Sequence, residues 1–145
     1  MMRVAFALAL LTGCGASAQT VARHTLATTA TALREADEAL APRYAAAAVE
    51  ALEASSSAQE YARAMRPWDA AEDAERAALS SLLASEALVD AWERNGASWL
   101  AAAPCLALAA VRLVDALRAV GVASGPVDDA AAVLRGLGGS CNDTR

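Results

Sequence analysis

The chain has 145 residues, with 12 basic and 17 acidic side chains and a net charge of −5 at pH 7; aromatic residues make up only 4% of it. That length suffices for a single domain with a core of its own. The acidic balance, without any basic patch interleaved with aromatics, argues against a nucleic-acid partner.

In chain order, the first element is a targeting segment. Arg3 is followed by the uncharged run Val4 to Leu11. Eight helical residues cover only about 12 Å, against a hydrocarbon core of about 30 Å, so this run is too short to span a bilayer. Behind it stands Leu11-Thr12-Gly13-Cys14, an apolar residue, two small ones and a thiol. The tetrad resembles the lipobox of bacterial lipoprotein precursors. The resemblance implies cleavage between Gly13 and Cys14, acylation of Cys14 with diacylglycerol and palmitate-type chains, and a location in the cell envelope facing away from the cytoplasm. Gly15 lacks the aspartate that favours inner-membrane retention in enteric bacteria, so the outer membrane is the expected site where the host has one. The division implied is a signal peptide over residues 1–13, a short lipidated tether over 14–19 and one domain over 20–145.

Composition then sets the fold class. No glycine occurs between Gly15 and Gly96, isoleucine is absent from the chain, and alanine, leucine, glutamate and arginine fill the interval. Such residues favour helix. The expected fold is all-α, an Ala-rich antiparallel bundle of four to five helices. Ala22, Leu26, Thr29, Leu33, Ala36 and Leu40 step alternately by four and three, which aligns one stripe toward a partner helix. Tyr44, Ala48, Ala51, Ser55, Ala58, Ala62 and Met65 continue the stepping with smaller side chains.

The break between the first helices has two readings. Pro42 and Pro67 are helix-disrupting residues, and Ser57 with Glu60 reads as a capping box. The favoured reading is a long first arm that bends between Pro42 and Ser57 and reverses near residues 66–68. The next helix then opens with Asp69 and Glu72 as its capping pair and ends at Asn95-Gly96. A further helix over about 98–120 carries the stripe Trp99, Ala103, Leu106, Ala110, Leu113, Leu117, Val120. Its uncharged stretch over residues 95–111 is broken by Pro104 and reads as a buried central helix, not a span. A short last helix over about 127–137 follows Gly125-Pro126.

No reaction is written in these residues. His24 is the lone histidine and stands beside the tether, so neither a Ser-His-Asp triad nor a zinc site has its parts. The acids Glu35, Asp37, Glu38, Asp69, Glu72, Asp73 and Glu75 read as solvated faces and helix starts, and no Glu-x-x-His pair is present to mark a di-metal bundle. No cofactor, metal or small-molecule substrate is expected. Trp68, Trp92 and Trp99, with Tyr44 and Tyr61, serve either as plugs for the bundle ends or as a partner face. The function expected is a lipid-anchored, non-catalytic scaffold or binding subunit for another envelope protein. The alternatives are an inhibitor or immunity-type lipoprotein that occludes an exported enzyme and, at lower weight, an enzyme using bundle carboxylates.

Cysteine arithmetic adds a bond. With Cys14 acylated, Cys105 and Cys141 remain as an even pair in an oxidising compartment. From Cys105 the helix climbs about 22 Å to Val120, and the last helix descends about 15 Å. Residues 138–140 can cover the rest at up to about 3.3 Å each, which brings the two thiols to one level.

Overall fold

The structure is a computed structural model that describes residues 18–95, 102–137 and 141. Among these the chain forms four helices: α1 (Ala18–Ala54), α2 (Ala58–Asn95), α3 (Ala103–Ala119) and α4 (Gly125–Gly136). Each packs on the next in chain order, and α4 closes the ring against α1. Ion and hydrogen-bond pairs fix the directions. Arg23 meets Asp90 and Tyr44 meets Asp69, so α1 and α2 are antiparallel. Arg118 meets Asp128 at one end of α3 and α4, while Cys105 meets Cys141 at the other.

All six positions of the first stripe, from Ala22 to Leu40, are buried. So are Ala103, Leu106, Ala110, Leu113 and Leu117 of α3, opposite Val127, Ala130, Ala131 and Leu134 of α4. Small residues let the backbones approach while the leucines fill the centre. The uncharged start of α3 is therefore core, and among the described residues no helix is long and apolar enough to cross a membrane.

The first reversal lies elsewhere than expected. Pro42 and Pro67 both sit inside helices, and the chain turns at Ser55–Ser57, not at residues 66–68. The seryl turn wins because it satisfies the exposed N–H groups of a new helix. Ser57 Oγ accepts from the Glu60 N–H at 3.3 Å, while the Glu60 carboxylate accepts from the Ser56 N–H and hydroxyl at 2.8 Å each. These bonds hold the Glu60 carboxyl below its ordinary pKa. Asp69 is accordingly no cap, and lies a third of the way along α2.

The turn between α3 and α4 follows a glycine rule. Gly121 has φ +70°, and the N–H groups of Gly121 and Val122 donate to the carbonyls of Arg118 and Leu117. This is the Schellman arrangement, closed by the buried pair Val122 and Leu117.

Length mismatch shapes the molecule. α1 and α2, with 37 and 38 residues, run about 55 Å each, whereas α3 and α4, with 17 and 12, run only about 26 and 18 Å. The α3–α4 turn reaches the level of Arg43, whose Nη1 donates to the Gly121 carbonyl at 2.6 Å. Beyond that level α1 and α2 continue as a two-helix arm of about 12 residues per helix, some 18 Å long. Ala51 and Met65 are its buried hydrophobics, apart from the main core cluster.

Candidate functional site

The arm and its base hold the polar and aromatic residues of interest. Tyr44, Tyr61 and Trp68 are each half-buried, and Trp68 packs against the core cluster. The Tyr44 hydroxyl donates to Asp69 Oδ1 at 2.9 Å, and that bond to a carboxylate raises the phenol's pKa. None of the three is among the exposed residues of the arm. Cys14 and Trp99, together with the Trp92 side chain, lie outside the described residues. The large exposed hydrophobic side chains of the arm are Val49 and Leu52, 58% and 70% exposed. They stand off the stripe that runs through Tyr44, Ala48, Ala51 and Ser55, and that offset was the sequence signal for them.

Below the arm, α1 and α2 enclose a groove of about 370 Å³ whose walls include Asp37, Leu40, Tyr44, Glu72, Glu75 and Arg76. Glu75 departs from the solvated-face expectation: it is only 8% exposed. Its place in the sequence explains this, since Ala71, Glu75, Ala78, Leu82, Ser85 and Val89 form the four-three stripe of α2 and all are buried. Other polar residues at core positions satisfy themselves locally. Thr29 Oγ1 donates to the Thr25 carbonyl and Ser85 Oγ to that of Ser81. A carboxylate has no such option. Burial pushes the Glu75 carboxyl above the ordinary carboxylate range, and the charge of Asp37, a hydrogen bond to Asp37 and the charge of Glu72 push the same way. Arg76 opposes the shift, but its guanidinium is held by Glu72 at 2.9 Å and Asp73 at 2.7 Å.

The remaining expected residues fall as follows. His24 is exposed on α1. Asp90 pairs with Arg23 of α1 at 3.4 Å. Among the described residues no three potential metal ligands converge. Cys105 and Cys141 are joined as a disulfide, with Cα atoms 4.7 Å apart, in keeping with the climb and descent of the last two helices.

No protein-family model, curated protein or solved structure matches this chain.

Proposed function

We propose that the protein is an exported, lipid-anchored envelope protein whose two-helix arm binds another envelope protein, without catalysis of its own. The observation that carries the reading is the arm itself. α1 starts at Ala18, four residues after Cys14, and ends about 55 Å away at the arm's tip. A chain acylated at Cys14 thus holds the four-helix part near the bilayer and presents Val49 and Leu52 far from it. A bonded Cys105–Cys141 pair is consistent with an oxidising compartment. The arm is also narrow enough, at two helices, to enter a cleft, which is the shape an inhibitor of an exported enzyme would use.

Two measurements test the proposal. Cell fractionation with intact-mass analysis should find acylated protein in membranes, and Cys14→Ala should abolish both acylation and membrane partition. A photo-crosslinker at Val49 or Leu52 should capture one envelope protein, and the same probe at exposed Val133 on α4 should not. Full-length protein in the cytosol refutes the anchor, and equal capture from both positions refutes the arm as the binding element. A captured enzyme whose activity falls on addition of the protein selects inhibition over scaffolding.

A further inference from the structure

We propose that Glu75, facing Asp37 across the α1–α2 seam, is a proton-operated latch that closes the base of the arm in acid and loosens it as the pH rises. The inference rests on the seam alone and holds whether or not the chain is acylated.

The geometry is that of two acids on facing helices, one of them buried at a core stripe position. When Glu75 is neutral its hydroxyl donates to the Asp37 carboxylate, and the pair acts as a cross-helix hydrogen bond. When Glu75 ionises, that donor is lost and its buried charge faces the like charge of Asp37, which is itself exposed. The protein's own charges relieve this only in part, through Arg76. From α1 the groove presents Asp37 and the hydroxyl of Tyr44, which is held by Asp69; from α2 it presents Glu72 and the already paired Arg76. No charged residue of α3 or α4 lines the groove. The two helices that must separate are those that continue into the arm, so the latch lies at the arm's root.

The sign follows from linkage. A carboxyl whose pKa is raised by folding binds more protons in the folded state, so stability falls as pH rises from the ordinary carboxylate range through the raised value. Below that window the bond is fully made. Above it the seam carries the repulsion.

Amide hydrogen exchange, corrected for intrinsic rates, tests this on the full folded chain at a series of pH values. Protection over residues 37–44 and 68–76 should decrease as pH rises through the window, and protection in α3 should not follow it. Glu75→Gln keeps a donor and has no charge, so its seam should stay protected throughout. Asp37→Asn removes the facing charge and should move the transition to lower pH. Seam protection that does not change with pH in the unaltered protein overturns the proposal, and so does an identical change in Glu75→Gln.

Discussion

Removing the Cys105–Cys141 bond is the sharpest test of how the bundle is held together. The residues are 36 apart in sequence, and the loop-entropy relation for that closure gives about 13 cal/mol/K, or about 4 kcal/mol at 25 °C. Bundle domains of this size are stable by only about 5 to 15 kcal/mol, so the loss is a large share of the total. The structure also says where it should appear. α4 is the shortest helix, with Val127 and Leu134 as its large buried side chains and Ala130 and Ala131 adding little area. Its N-terminal end is retained by the Gly121 turn and by the 2.7 Å pair of Arg118 with Asp128, while its C-terminal end is retained through the disulfide. Both cysteines are only half-buried, so alanine at these positions removes the cross-link with little packing loss. Urea unfolding of the oxidised protein and of Cys105→Ala/Cys141→Ala should differ by about 3 to 4 kcal/mol, and amides 127–136 should lose protection before those of α1. A difference below about 1 kcal/mol, with α4 protection unchanged, would refute the idea that the cross-link retains this helix.

Three further outcomes follow from the fold. Leu113→Ala should cost about 2 to 5 kcal/mol in urea unfolding because Leu113 is fully buried, whereas Leu52→Ala should stay within about 0.5 kcal/mol. Ser57→Ala should cost about 1 kcal/mol. The Glu60 part of the same cap is present above the ordinary carboxylate range and is lost as pH falls through its lowered pKa, so the penalty of Glu60→Gln, read by urea unfolding, should shrink in acid. Gly121→Ala should lower stability by about 1 to 2 kcal/mol through backbone strain alone, because a Cβ there meets no atom within 4 Å. Its far-UV circular dichroism should be unchanged.

Helical character and the core stripes of α1 and α3 were legible because spacing and propensity agreed at every position from Ala22 to Leu40 and from Ala103 to Leu117. The first reversal was not. Proline read as a stop, yet inside a long helix it removes one N–H donor, at about 3 kcal/mol, and neighbours rich in alanine, glutamate and arginine can offset that. A serine run with Glu60 in place supplies the bonds that a helix start needs. Glu75 differs from its composition-based expectation for a related reason. Its acidic neighbours Glu72 and Asp73 suggested a wet face, while its register with Ala71, Ala78 and Leu82 pointed inward. Register outweighed composition. The aromatic residues are the weakest guide to a partner surface, since Tyr44, Tyr61 and Trp68 are half-buried and the large exposed hydrophobics of the arm are Val49 and Leu52.

Pro42 and Pro67 have a mechanical consequence as a pair. The Tyr44–Asp69 bond places residues 44 and 69 side by side, so the two prolines sit within about 6 Å of each other along the long axis, roughly one turn. Each leaves the carbonyl four residues earlier, on Glu38 and on Arg63, without its helical donor. Bending stiffness therefore drops in both rods at nearly the same height, just where α3 and α4 cease to brace them. Two rods softened at unequal heights would lock each other straight; softened together, they can flex as one. The upper third of the molecule thus joins the four-helix part through the level at which bending either long helix breaks the fewest backbone hydrogen bonds.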